Sequence, residues 1–348
     1  GISILDEQDS LTVVRDLLPD GTAPDMVRMA RAQISRLKNL AMSAHEVPTE
    51  GNSDGEAAIR VLYQRYEEHL RNLNGVDFDD LILQPLRALE QEEIRLTWQQ
   101  KIRYLLVDEY QDTNETQYRM LRHLAGPEGR LTAVGDDDQS IYGWRGAQPE
   151  NLQQLAQDYP NLHTVKLEQN YRSCNTVLKA ANALISNNPR AVDKRLWSAL
   201  HEGDAIRVIP CATELEEAEM IAAEILHLQY TTRAQWGDFA VLYRTSAQVQ
   251  VLSEALERSG IPYQTSSQTP LYAQKETRLI LAHLWLLQNP FSSLHLDTIL
   301  NHDRPLFDLD ALATLINVAK TENCFPWQIA GQFVMPENMG YALRRRTV

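Results

Sequence analysis

Cysteine is scarce in this chain: Cys174, Cys211 and Cys324 are the only three among 348 residues. They lie far apart and make no CxxC pair, which excludes a disulfide-stapled scaffold and points to a reducing, cytoplasmic setting. Long apolar runs are also missing, so nothing reads as a membrane span. Residues 1–20 are acidic and amphipathic rather than basic and then apolar, unlike a secretory signal. Basic charge is in deficit, with 33 Lys and Arg against 47 Asp and Glu and a net charge of −14. That balance argues against nonspecific attraction of nucleic acid over the whole surface. It leaves room for one groove in which basic and aromatic groups are gathered. The phosphate-cradling string G-x-x-x-x-G-K-[ST] does not occur, nor does a single Gly-Lys dipeptide.

What is present is ordinary globular material, 43% hydrophobic and 23% charged. At roughly 150 residues per domain it suffices for two or three domains. Residues 1–95 read as helical: Leu5, Leu11, Val14 and Leu17 are spaced for one helix, and Ile59, Leu62, Tyr63 and Tyr66 for another, with a polar break at Asn52–Gly55. From about residue 100 the pattern changes. Tyr104–Val107 and Leu131–Gly135 read as buried strands of a parallel sheet, and His163–Leu167, Ile206–Pro210 and Phe239–Tyr243 as further strands. Amphipathic helices are expected over Glu115–Leu124, before Gly126, over Leu215–Leu228, and from Tyr243 towards Gly260. Strands alternating with helices mean an α/β layered fold. After about residue 280 the pattern is helical again, and Arg344–Arg346 read as an exposed helix end.

Three strings carry chemistry. In Leu105-Leu106-Val107-Asp108-Glu109-Tyr110-Gln111-Asp112, a strand ends in two carboxylates, at the sheet edge where α/β folds bind ligands. One carboxylate can hold Mg²⁺ and the next can orient or deprotonate a water, the two roles phosphoryl transfer needs. The bland alternative is a solvated acidic turn. The second string, Gly135–Gly146, follows another strand. Gln139 in it can donate to a phosphate oxygen, while Tyr142 and Trp144, spaced by Gly143 and followed by Arg145, suit a platform on which bases stack. The alternative is that both aromatics belong to a core. In the third, Leu167–Ser173, Arg172 near a helix start opposes the helix dipole and is easier to explain if it faces an anion.

Together the three strings resemble the motor proteins of helicase superfamily 1, the UvrD/Rep/PcrA family, with Rep-like members most similar. Val76–Leu81, Lys101–Val107 and Phe239–Arg244 add to the resemblance, which is most specific between about residues 75 and 245 and weak after about 265. It implies α/β architecture: incomplete RecA-like P-loop motor lobes with helical insertion and accessory domains. The implied divisions are a helical insertion at 1–90, the second half of a first lobe at 91–165, the first part of a second lobe at 166–280 and the start of a helical accessory domain at 281–348. The resemblance also implies an ATP-dependent 3′-to-5′ DNA helicase or single-stranded DNA translocase using ATP and Mg²⁺. Asp108 and Glu109 would serve the metal and the hydrolytic water, Gln139 would sense the γ-phosphate, and Tyr171 would pack on adenine. Arg172 would reach the γ-phosphate like an arginine finger. Tyr142, Trp144 and Arg145 would contact single-stranded DNA, with Tyr243 and Arg244 near the same channel. The implied partners are single-stranded and 3′-tailed duplex DNA and replication or repair proteins; the implied state is a monomer or weak dimer.

The sequence departs from the family pattern in places. Where the family usually has Gln-Ser-Arg, this chain has Gln248-Val249-Gln250, which loses a basic group. Paired glycines, paired phenylalanines and an arginine are replaced by Ser267-Gln268, Leu271-Tyr272 and Gln274. The missing phosphate cradle and the Gly at position 1 suggest a piece cut at both ends, without ATPase activity alone. Two other readings use the same residues. A metal-dependent nuclease would assemble the acids of Asp77–Asp80, Asp108–Asp112 and Asp136–Asp138 around two metals. A non-catalytic docking module would keep the helicase body without its chemistry.

Overall fold

The computed structural model of the protein describes residues 2–47, 54–148, 150–188, 194–265, 274–301, 307 and 309–330. They form two compact units, one from the described residues within 2–172, 178–199 and 279–330, the other from those within 173–177 and 200–278.

The first unit opens with a short strand β1 (Ser3–Leu5), followed by helices α1 (Glu7–Leu17), α2 (Pro24–Asn39) and α3 (Asp54–Asn72). Local chemistry starts each helix. Asp6 caps α1 in a reciprocal box with Asp9, and Pro24 supplies a preset φ at the head of α2. Leu62, Tyr63, Tyr66, Leu70 and Leu73 then bury one helical stripe of α3 and its end. Strand β2 (Gly75–Asp77) pairs in parallel with β1, Ser3 opposite Gly75. A Cβ at Gly75 would lie 2.7 Å from Leu5 Cδ1, so any larger residue there would have to displace the end of that side chain. This pair corrects the all-helical expectation for residues 1–95. Three-residue strands are too short for an alternating pattern, and Leu5, expected on a helix, lies in β1. The expected break at Asn52–Gly55 lies partly outside the described residues, and Gly55 sits inside α3.

Helices α4 (Asp80–Leu89) and α5 (Glu92–Lys101) lead to strand β3 (Leu105–Val107), helix α6 (Glu115–Ala125), strand β4 (Leu131–Ala133) and helix α7 (Asn151–Asp158). β3 and β4 run parallel, with Leu105 opposite Leu131 and Val107 opposite Ala133. Tyr110, Tyr118 and Leu155 form a small core over one face of this pair. The other face is open: Leu106 is 76% exposed, which corrects the expectation of a strand buried on both sides. Asn114 caps α6 in a box with Gln117, and Gly126, at φ 67°, ends it.

Helix α8 (Asn175–Ile185) begins in the second unit and ends in the first. In the second unit α9 (Glu214–Thr232) packs on α10 (Ala247–Arg258) through Ala222, Ile225, Leu256 and Ile261. The strands expected at His163–Leu167, Ile206–Pro210 and Phe239–Tyr243 are irregular instead. Apolar runs suggested them, but among the described residues no neighbour forms a ladder with them, and Leu242 is 95% exposed. Helices α11 (Lys275–Gln288), α12 (Ser293–Leu300), α13 (Leu309–Thr321) and α14 (Pro326–Ala330) are the last among the described residues, and Arg344–Arg346 lie outside them. Leu286, Leu296, Leu312 and Leu315 from this end join the apolar core built by α1 to α3. Ser293 Oγ donates to the Leu73 carbonyl at 3.2 Å. No helix among the described residues is long and apolar enough to cross a membrane.

Candidate functional site

The carboxyl ends of β3 and β4 lie side by side, and the chain leaves each through acids. After β3 come Asp108 and Glu109. Glu109 takes a left-handed conformation, φ 51° and ψ 42°, which non-glycine residues rarely adopt. Its N–H donates to Asp108 Oδ1 at 3.0 Å, and the turn Tyr110–Asp112 that follows fixes the bend. Tyr110 N–H donates to the Val134 carbonyl at 2.9 Å, carrying the alignment of the two strands past their ends.

Gln111 links the two ends. Its side chain is fully buried. Nε2 donates to Glu109 Oε2 at 2.8 Å, and Oε1 accepts from the Asp136 N–H at 2.9 Å. Asp136 Oδ2 in turn accepts from Gln139 Nε2 at 2.7 Å. Glu109, Gln111, Asp136 and Gln139 thus form one hydrogen-bonded chain. Gly135 makes room for it, since a Cβ there would lie 2.8 Å from Gln111 Oε1 and 3.2 Å from the Gln111 backbone nitrogen. Partial burial works against ionised Asp136, but hydrogen bonds from Lys194 and Gln139 outweigh it and hold its pKa below the usual carboxylate range.

Four residues beyond Asp138 the chain turns outward. Trp144 is 75% exposed and Tyr142 partly so, with ring centroids 6.3 Å apart and planes inclined at 50°. The Arg145 guanidinium lies 4.5 Å from the Trp144 centroid and 5.1 Å from that of Tyr142. These rings do not belong to a core; they form an exposed cationic and aromatic surface.

Tyr171 and Arg172 are exposed, and Tyr171 donates through its hydroxyl to Gln169 Oε1 at 3.0 Å. The Arg172 N–H donates to Asn170 Oδ1 at 2.9 Å, three residues before α8 begins. Tyr243 and Arg244 belong to the second unit. There the Arg244 and Thr245 N–H groups both donate to Gln248 Oε1, so Gln248 organises the turn into α10. The departures at Ser267–Gln268 and Leu271–Tyr272 lie outside the described residues.

The acidic clusters hold cations of the protein's own. Lys38, fully buried, contacts Glu67 Oε1 at 2.8 Å, Asp77 Oδ2 at 3.0 Å and Asp80 Oδ2 at 2.8 Å, while Arg31 pairs with Asp77 and Asp79. Lys194 pairs with Asp136 and Asp137. Asp77–Asp80 and Asp136–Asp138 are therefore each partly neutralised by lysine or arginine, which weighs against their meeting around two metals. Gln111 stood inside the first string as an unremarked letter, and no local pattern marked Lys38 or Lys194.

Comparison with known proteins gives the family of the chain. The UvrD/REP helicase N-terminal domain matches residues 1–160, and the UvrD-like helicase C-terminal domain matches residues 165–323. The chain belongs to the UvrD/Rep helicase family. ATP-dependent DNA helicase Rep of Escherichia coli (strain K12) is 42% identical over 291 residues, covering 83% of this chain and 43% of that protein. Rep of Buchnera aphidicola subsp. Schizaphis graminum is 38% identical over 349 residues, covering 99% and 52%. ATP-dependent DNA helicase PcrA of Staphylococcus aureus (strain Mu50) is 37% identical over 303 residues, covering 86% and 41%. The chain spans about half the length of the curated relatives it matches. UvrD/Rep membership carries with it the RecA-like α/β fold, of which the parallel pair β3 and β4 is the part that holds the acids.

Proposed function

We propose that this chain serves an ATP-dependent 3′-to-5′ DNA helicase or translocase, and that the edge of β3 and β4 is where nucleotide chemistry meets DNA. The observation that carries this reading is the hydrogen-bonded chain from Glu109 through Gln111 and Asp136 to Gln139, with the exposed platform of Trp144, Tyr142 and Arg145 on the same loop.

Asp108 and Glu109 suit a hydrated Mg²⁺, since both offer hard carboxylate oxygens and each commits one oxygen to the protein, Oδ1 to the Glu109 N–H and Oε2 to Gln111. The ion, when bound, would neutralise charge on the β- and γ-phosphates of ATP. Glu109 orients the attacking water and accepts its proton, and Gln111 fixes that carboxylate. Gln139 has a second N–H on Nε2 to offer a phosphate oxygen while the first stays on Asp136. Arg172 supplies positive charge to the γ-phosphate, and the Tyr171 ring packs on adenine. Bases stack on Trp144 and Tyr142 without sequence preference, Arg145 faces the backbone, and Tyr243 and Arg244, in the second unit, are themselves DNA-contacting residues.

The same reading takes residues 1–90 as the insertion, 91–165 and 166–280 as parts of two incomplete motor lobes, and the segment from 281 as the start of an accessory domain. It gives the protein single-stranded and 3′-tailed duplex DNA as substrates, replication or repair proteins as partners, a monomeric or weakly dimeric state and a cytoplasmic setting. Anisotropy of a labelled oligo(dT) tests it. Base stacking is worth ~1–3 kcal/mol per base, so Trp144→Ala should weaken binding roughly 5- to 150-fold. Unchanged affinity in that variant would place DNA elsewhere. ATP hydrolysis by this chain alone should be undetectable, because no phosphate-cradling string occurs in it.

A further inference from the structure

Three consecutive acids repel one another unless a cation holds them. Asp136, Asp137 and Asp138 each place an oxygen within 4.8 Å of the others, the arrangement a metal ion would accept. A side chain is there instead. The Lys194 ammonium hydrogen-bonds to Asp136 Oδ1 and Asp137 Oδ1 and lies 3.4 Å from Asp138 Oδ2. It is largely buried, with 18% of its side chain exposed. Burial works against its charge, yet the hydrogen bonds to Asp136 and Asp137 outweigh that and hold its pKa above the ordinary lysine value.

The backbone next to Lys194 is tied elsewhere. The Arg195 N–H donates to Glu168 Oε1 at 2.8 Å, and the Trp197 N–H donates to the Glu168 carbonyl at 3.0 Å. The Asn170 N–H returns the bond to the Trp197 carbonyl at 2.7 Å, closing a parallel bridge between Gln169 and Trp197. Asn182 grips Leu196 from both sides, accepting from its N–H at 3.2 Å and donating to its carbonyl at 2.8 Å. The segment Lys194–Trp197 is thus a strap. One end enters the acids beside Gln139, and the other is laced to the residues immediately before Tyr171 and Arg172.

We propose that Lys194 is a positioning residue: as the fixed cation of the Asp136–Asp138 turn, it ties Gln139 to the segment that carries Tyr171 and Arg172. This rests on the reading of Gln139 and Arg172 as phosphate-facing groups. Ordering a lysine side chain costs rotamer entropy, a cost that three carboxylates at one point can offset. A mobile metal would leave the two segments independent, whereas a lysine makes one move with the other.

Amide hydrogen exchange on the whole chain tests this. The amides to follow are those of Asp138, bonded to Asp136 Oδ1 at 3.1 Å, Gln139, Asn170 and Trp197. In Lys194→Met all four should exchange tenfold faster or more, with α1 to α3 unchanged as the measure of folding. Lys194→Arg should keep them within about threefold of the natural chain. The freed acids of Lys194→Met should also bind Tb³⁺ more tightly than the natural chain does, seen as stronger luminescence sensitised by Trp144 at the same Tb³⁺ concentration. Exchange in Lys194→Met within twofold of the natural chain would overturn the proposal. If that variant does not fold, Lys194→Gln carries the same two outcomes. A failure of the helicase reading would show separately, as a natural chain indifferent to oligo(dT).

Discussion

At the scale of single residues, the site depends on conformations and contacts that few side chains tolerate. Glu109 holds a left-handed backbone so that its carboxylate and that of Asp108 leave the strand end together. Gly135 stands where any Cβ would strike both the side chain and the backbone nitrogen of Gln111. The backbone nitrogen cannot swing away, so Gly135→Ala should cost ~1–3 kcal/mol, read as a lower urea midpoint. It should also detach Asp136 from Gln111. An alanine variant as stable as the natural chain would mean that the loop shifts freely and that Gly135 is not what admits Gln111. Asp108, Glu109, Gln139 and the aromatics were legible in the sequence because each sits in a string whose letters are close together. Gln111 was in plain view but without a role, since nothing in the string says that its amide turns inward to bridge two strands.

At the scale of elements, the buried ion network around Lys38 joins α2, α3 and the start of α4 to β2. Lys38 meets Glu67, Asp77 and Asp80, and Tyr66 donates to Asp77 Oδ2 at 2.9 Å. Burial pushes the Asp80 carboxyl up to about 6, although Lys38 pulls the other way. Replacing Lys38 with Met would leave these carboxylates without their cation and should lower stability by ~3–5 kcal/mol in denaturant unfolding. A loss below ~1 kcal/mol would show that water reaches the cluster, contrary to the burial of Lys38, Asp77 and Asp80. The acids of Val76–Leu81 were visible in the sequence, but their partners lie about 40 residues away. Spacing rules do not reach that far. The same limit explains the strands: β3 and β4 are legible because their apolar runs end in acids, whereas 163–167, 206–210 and 239–243 have apolar runs and, among the described residues, no strand beside them.

At the scale of the whole molecule, helices from both ends of the chain share one core, in which Leu286, Leu296 and Leu312 join Leu5, Val13 and Tyr63. Asp297 lies beside that core on α12, and burial raises its pKa to about 6, with Asp16 pushing the same way and an Asn301 hydrogen bond opposing. The unfolded chain titrates near the ordinary value of 3.8. The folded chain therefore binds the proton more tightly, so this group's contribution is greatest below about pH 4 and is lost as pH rises through about 6. Asp297→Asn should melt higher than the natural chain at pH 8 and equally at pH 4. Equal melting at both would place the carboxyl in water. That two ends of the sequence meet in one core was not legible, because periodicity shows that a helix has an apolar face but not which helix covers it.

On the proposed function, the carboxylate edge of β3 and β4 and the aromatic platform after it act as one site. Hydrogen–deuterium exchange of the chain with and without oligo(dT) tests this most directly. Exchange should slow at Tyr142–Gly146, where the bases stack, and change at Tyr110–Asp112 and Asp136–Gln139, reached through Gln111 and Asp136. Protection confined to Tyr142–Gly146, with the carboxylate edge unchanged, would contradict it.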